Sequence, residues 1–294
     1  MENKIDSVVV LSTYFGNRCK YPMDVNSALY VLYDVLNHYI SFDFGIPCDI
    51  VVVDHDVTTL NNFDKEINEN TKKIVYKSKE LLDKFNDQKL LNGGKIKILH
   101  RNWNNGGGMA MASFNYVFEQ FRNEYFYWFF NEDDVKIMKC GHFKDLIGIL
   151  NSDDKIALAS IWRDSPLGVS NTFYLNKMYN KFGKLLGTYI ELSKEAQIRS
   201  IQKVEYFDWN DGELGNKRRI EGDLGQNGWN SFFNSIGYRI ERSNDEFHHN
   251  CILYYRVNHT INKNQTPRII VNEKDELILI NADGKEEKIE KWIK

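Results

Sequence analysis

Apolar residues in the first half of the chain recur in two rhythms that take turns. Residues 5–11 form a β-rich run, and residues 50–53 are continuously apolar, the pattern of strands buried on both faces of a parallel sheet. Between them, Val25, Ala28, Leu29, Leu32, Val35, Leu36, Tyr39 and Ile40 recur at helical spacing, with Asp24 as a candidate cap. A charged amphipathic stretch over 64–91 runs to Gly93-Gly94, and residues 96–99 follow as a third strand. Ala110, Phe114, Val117, Phe118 and Phe121 mark another helix, and the aromatic run 126–130 a fourth strand. Strand and helix alternating in this order predict a mostly parallel, Rossmann-like α/β sheet with right-handed crossovers.

The second half is less regular. A strand is expected over 155–161, a helix over 175–186 and a long loop over 201–219. Residues 224–236 read as a helix stopped by Gly237, and 238–240 and 252–257 as short strands. The tail, 258–294, reads as a small C-terminal β extension, hairpin-like, with Ala282-Asp283-Gly284 as its turn. The main domain is therefore expected over 1–257, with halves at 1–135 and 136–257.

Composition narrows the class. The 294 residues are 42% hydrophobic and 14% aromatic, enough for a core and against disorder. Lys and Arg number 38 against 41 Asp and Glu, a net charge of −3 with no basic stripe, so nucleic acid is not an expected partner. Cys19, Cys48, Cys140 and Cys251 lie far apart, as free thiols do in a reducing compartment. The apolar run at 8–11 is too short for a signal-peptide core, and no stretch approaches the ~18 apolar residues of a membrane span. A cytoplasmic protein with no integral membrane segment is the expectation.

In open parallel sheets, ligands bind beyond the carboxyl ends of the strands. Those ends read Ser12-Thr13-Tyr14, Asp54-His55-Asp56, Arg101-Asn102-Trp103-Asn104-Asn105 leading into Gly106-Gly107-Gly108, and Asn131-Glu132-Asp133-Asp134. All are polar, small or acidic, as a nucleotide site requires. Acids clustered at a strand mouth repel one another unless a cation is present, and Mg²⁺ or Mn²⁺ takes such hard oxygen ligands together with substrate phosphates. The same acids could instead cap a following helix. Asp54 suits a hydrogen bond to a base or ribose, or a strand-end turn. The glycines allow the backbone to approach a diphosphate, or simply turn the chain. No G-x-G-x-x-G, P-loop or G-x-S-x-G pattern is present, which disfavours dehydrogenase, P-loop and serine-hydrolase readings.

Taken in order, Ser12-Thr13-Tyr14, Val52-Val53-Asp54, Asn104-Asn105-Gly106-Gly107 and the aromatic strand before Glu132-Asp133-Asp134 resemble the nucleotide-binding half of GT-A fold, family 2-like glycosyltransferases. Phe173-Tyr174-Leu175-Asn176-Lys177 with Phe182-Gly183 is similar to the segment before the family's acceptor site. Glu221-Gly222-Asp223 is similar to its catalytic-acid segment, and His248-His249 to its metal- or phosphate-contacting histidine. The chain has Asn131 where the family usually begins its DXD-type motif, and Glu-Gly-Asp where the family has adjacent acids.

The resemblance implies a transferase that moves a sugar from a nucleotide-diphosphate donor, UDP-linked by preference, to an acceptor hydroxyl in glycan or surface-polysaccharide synthesis. Ser12, Thr13, Tyr14, Asp54, Asn105, Gly106, Gly107, Glu132 and Asp133 would hold the donor. Asp133 or Asp134, with His249, would hold Mn²⁺ or Mg²⁺. Asp223 or Glu221 would be the base of an inverting displacement. The competing classes are a non-catalytic nucleotide-sugar or carbohydrate-binding module on the same fold, and a sugar nucleotidylyltransferase. The latter would want a basic, glycine-rich loop after the first strand, where only Gly16-Asn17-Arg18 stands.

Overall fold

A computed structural model of the chain describes residues 5–13, 25–56, 69–102, 109–133, 135–161, 167–185, 229–230, 232–243, 252–254 and 267–289. The first half alternates as its pattern predicts: β1 (Ser7–Thr13), α1 (Val25–Ile40), β2 (Asp49–Asp56), α2 (Glu69–Asp83), β3 (Ile96–Asn102), α3 (Met109–Phe121) and β4 (Tyr127–Glu132). Then come β5 (Val135–Ile137), α4 (His142–Leu150), β6 (Ile156–Ser160), β7 (Gly168–Asn171), α5 (Thr172–Phe182), β8 (Arg239–Arg242) and β9 (Ile252–Tyr254).

Seven strands make one sheet in the order β3-β2-β1-β4-β7-β6-β8. β1 pairs in parallel with β2 on one side and β4 on the other, and β7 is antiparallel to both β4 and β6. The chain winds outward from β1 through β2 to β3, then returns across the sheet to place β4 on β1's other edge. In open sheets such a reversal marks a crevice between the two strands, here β1 and β4, at their carboxyl ends, which is the usual ligand position.

Alternation along β4 assigns each helix a face. Trp128 and Phe130 point to α3, where they meet Phe118 and Phe114 at ring distances of 5.0 and 4.9 Å. Phe129 points the other way and stacks on Phe143 of α4 at 3.9 Å, while Asn131 reaches Tyr39 of α1. Both faces are thus covered, and Val8 to Leu11 and Ile50 to Val53 are without solvent contact.

Several boundaries differ from the sequence expectation. The helix expected over 175–186 is α5, which begins at Thr172 because the Asn171 side chain accepts from the Tyr174 amide. It ends at Gly183, whose φ of 71° is the left-handed turn that stops a helix. β7, unmarked by any apolar pattern, is buried throughout. Its first residue, Gly168, lies so close to β6 that an added Cβ would sit 2.1 Å from the Ala159 carbonyl oxygen. The expected long loop over 201–219 falls outside the described residues.

The tail is richer than a hairpin. β10 (Arg268–Val271), β11 (Leu277–Ile280) and β12 (Glu286–Lys288) form a three-stranded antiparallel meander. β10 lies against α1 and α2, and Ile269 and Leu279 join the main hydrophobic core. Among the described residues, no helix is long and apolar enough to cross a membrane, and Cys48 and Cys140 are free thiols.

Candidate functional site

The crevice is built by register. Thr13 pairs with Asp54 across β1 and β2, Ser12 with Glu132 across β1 and β4, and Asp54 with His100 across β2 and β3. Five residues singled out at the strand ends, Ser12, Thr13, Asp54, Glu132 and Asp133, are therefore neighbours at one end of the sheet. Tyr14, Asn105, Gly106, Gly107, Asp134, Glu221, Asp223 and the histidine pair at 248–249 lie outside the described residues.

The closest contact in the crevice joins β1 to the end of β4. Thr13 Oγ1 donates to Asp133 Oδ2 at 2.6 Å, and the two residues are 0% and 1% exposed. On the opposite face Ser12 Oγ donates to Ser113 Oγ of α3 at 3.0 Å, which fixes the start of α3 against β1. A carboxylate removed so far from water is unusual in a fold unless it serves an ion pair, a cation or a ligand.

Asn131 has a different duty from the one its place in the acidic run suggests. Its Nδ2 donates to the Tyr39 hydroxyl at 3.2 Å and to the Val135 carbonyl at 3.1 Å. Tyr39 in turn donates to Val135 O and accepts from the Ile137 amide. This network ties the β4–β5 connection to α1. Asn131 therefore sets the turn that follows β4, and Asp133 of this run bonds β1 through its side chain.

Sequence reasoning did not find His100. On β3, directly opposite Asp54, its Nδ1 lies 3.1 Å from Asp54 Oδ2 and its Nε2 2.7 Å from Asp83 Oδ1 at the last residue of α2. Carboxylates only accept, so two such bonds need both ring nitrogens protonated. The Asp54 hydrogen bond, and after it the Asp83 bond, raise the imidazole pKa above 6.5 against the opposing effect of burial. The cation also offsets an acidic residue standing at a helix C-terminus. Asp54 is consequently held by His100 on one oxygen. The signal existed only in the β2–β3 register, which residue spacing does not reveal. Arg101, next on β3, is buried and lies 5.9 Å from the Tyr116 ring of α3, bringing a cation to the same end of the sheet.

The sign of the pH effect follows. A histidine with a raised folded pKa contributes its full stability below its unfolded pKa of 6.5 and loses it as pH rises through the folded value. His142, buried at the start of α4, has the opposite sign. Burial, then Lys139, depress it to about 4, so its contribution is lost as pH falls from 6.5 toward that value. His100→Phe is expected to lower Tm by roughly 2–4 °C below pH 6.5, about 1 kcal/mol after solvent screening, and to flatten the decline above it. Differential scanning calorimetry across pH reads this directly, and an unchanged alkaline slope would assign the decline to another group.

The donor set bears on a cation. Asp133 supplies a carboxylate and Thr13, bonded to it, a hydroxyl, both hard oxygens suited to Mg²⁺ or Mn²⁺. Among the described residues, no three His, Cys, Asp or Glu side chains converge as a metal cage. A cation of this kind commonly uses one or two carboxylates and completes its shell with water and substrate phosphate, so the residues present fit it. Neither a scan of protein-family models nor a search of curated proteins finds a match to this chain.

Proposed function

We propose that the protein is a GT-A type, metal-dependent glycosyltransferase that moves a sugar from a nucleotide-diphosphate donor, UDP-linked by preference, to an acceptor hydroxyl of a glycan or surface polysaccharide. One observation carries the reading: the buried Thr13–Asp133 contact sits in the crevice between β1 and β4, where the strand order reverses. Strand-end polar residues on β1, β2 and β4 surround it, and the mostly parallel sheet agrees with the resemblance in the motif order.

In this reading Ser12, Thr13, Asp54, Glu132 and Asp133 line the donor pocket, and Asp133 or Asp134, with His249, would hold Mn²⁺ or Mg²⁺; of these three only Asp133 is among the described residues. The cation, when bound, neutralises charge that develops on the departing diphosphate. His100, itself held by Asp83, fixes the orientation of Asp54. The acceptor oxygen forms a bond to the anomeric carbon as the bond from that carbon to the diphosphate oxygen breaks. The electron pair leaves with the diphosphate, and the hydroxyl proton passes to the carboxylate of Asp223, with Glu221 next in line. Both acids lie outside the described residues, so their role rests on the resemblance alone.

Separating binding from chemistry tests the proposal. Asp223→Asn is expected to keep donor affinity within about twofold while turnover falls roughly 10²- to 10⁴-fold, the range that a general base contributes. Calorimetric titration of the donor beside a nucleotide-release assay measures both. Full turnover in the variant moves the base to Glu221. Donor binding without turnover by the unaltered protein, with any metal, would favour the non-catalytic binding module.

A further inference from the structure

At the other end of β4 from Asp133, the surface carries two large aromatic side chains that the fold leaves in water. Phe173, at the start of α5, is 55% exposed, and Phe126, just before β4, is 44% exposed. Neither owes its exposure to slack backbone. The Phe126 amide donates to the Asp6 carbonyl, and its own carbonyl accepts from the Thr172 amide at 2.9 Å. That bond joins the two segments, while the Asn171 cap fixes the first turn of α5. The backbone segments that carry the two aromatics are therefore bonded to each other.

Lysines lie beside Phe173 and Tyr238. Lys177 Nζ lies 4.4 Å from the Phe173 ring centre and 5.5 Å from that of Tyr238, and Lys155 is also 5.5 Å from Tyr238. Lys181 continues the stripe one turn further along α5, a helix whose residues Thr172–Phe182 include no Asp or Glu. Exposed aromatics beside a lysine-bearing, acid-free helix complement a surface that is apolar beneath and anionic at its face. Protein partners select against lysine in the centre of an interface, and a soluble polyanion makes no use of two exposed phenylalanines.

We propose that this face docks on an anionic phospholipid surface, with Phe126 and Phe173 entering the headgroup layer and Lys155, Lys177 and Lys181 facing lipid phosphates. The patch lies on the opposite side of the sheet end from the Thr13–Asp133 crevice, so docking leaves the candidate site uncovered. The inference is independent of the proposed chemistry.

The test is co-sedimentation of the full chain with vesicles of phosphatidylcholine alone and of equimolar phosphatidylcholine and phosphatidylglycerol. Binding should be at least fivefold stronger, roughly the contribution of one lysine, on the anionic vesicles and should weaken with added salt. The double change Lys177→Glu and Lys181→Glu should reduce it by about tenfold or more, and Phe173→Ser by several-fold, with melting temperature and nucleotide binding unchanged. Equal sedimentation with both vesicle types, no sedimentation with either, or retention on soluble dextran sulfate without vesicle binding would overturn the proposal.

Discussion

Replacing Asp133 with asparagine is expected to abolish the metal-dependent part of donor binding and to lower turnover at least roughly a thousandfold, with little change in stability. The first part follows from charge. Stabilisation of a departing diphosphate by a bound cation amounts to several kcal/mol, and each 1.36 kcal/mol is a decade in rate. Asparagine keeps an oxygen for the Thr13 hydroxyl, which donates at 2.6 Å, but removes the negative charge. The second part separates function from structure. Asparagine is nearly isosteric with aspartate and keeps the Thr13 bond, so Tm is expected to stay within about 2–4 °C, the equivalent of roughly 1 kcal/mol. Titration of donor with Mn²⁺ and with EDTA, beside a melting curve, checks both parts. A variant that melts several degrees lower yet retains its metal response would make Asp133 a structural tie.

Trp128→Ala is expected to cost about 3–5 kcal/mol, the range for emptying a buried tryptophan site, and to lower Tm by roughly 10 °C. Trp128 has no solvent contact and packs at ring distances of 5.0 Å from Phe118 and 5.8 Å from Tyr125. Its Nε1 donates to Thr172 Oγ1 at 2.9 Å, so the ring also links β4 to the start of α5. The cavity would open in the strand that carries Glu132 at its far end, between elements fixed by many other contacts, which limits collapse. Trp128→Phe retains most of the volume and loses the hydrogen bond, for a cost of about 1 kcal/mol. Urea unfolding followed by circular dichroism measures both, and an alanine variant within about 1 kcal/mol of the parent would mean that the sheet face repacks freely.

The first half of the fold was legible because each element carries its own strong pattern. The apolar runs in β1 and β2, the helical spacing in α1 and the aromatic run in β4 are local facts, and the structure follows them to within a few residues. Where burial arises from distant partners, the pattern fails. β7 contains one aliphatic residue, Val169; its burial comes from β4 and β6 on either side, with Ser170 Oγ bonded to the Ala157 carbonyl. β12 is Glu286-Glu287-Lys288, a strand made by pairing with β11 and invisible to any hydrophobic template. α4 shows helical spacing at Phe143, Leu146 and Leu150, but over nine residues that is a weak signal.

The site divides along the same line. The rule that ligands bind at strand carboxyl ends, applied to four runs, named Ser12, Thr13, Asp54, Glu132 and Asp133, which the fold brings to one crevice. His100 could not be named that way, because its partners Asp54 and Asp83 are 46 and 17 residues distant and meet it through sheet register and the end of α2. Asn131 looked like part of the acidic run and instead holds the turn, a role visible only once Tyr39 and Val135 are beside it.

The most direct test of the central claim is a thermal-shift panel of UDP, GDP and CMP and their sugar conjugates, each with Mn²⁺ and with EDTA. A ligand confined to the folded state at a hundredfold excess over its Kd stabilises by about 2.7 kcal/mol, a shift of several degrees. The account predicts such a rise with one nucleoside diphosphate and its sugar conjugate, UDP first, present with Mn²⁺ and absent with EDTA. No shift with any nucleotide, or a shift of the same size in EDTA, would contradict a metal-dependent donor site in the crevice between β1 and β4.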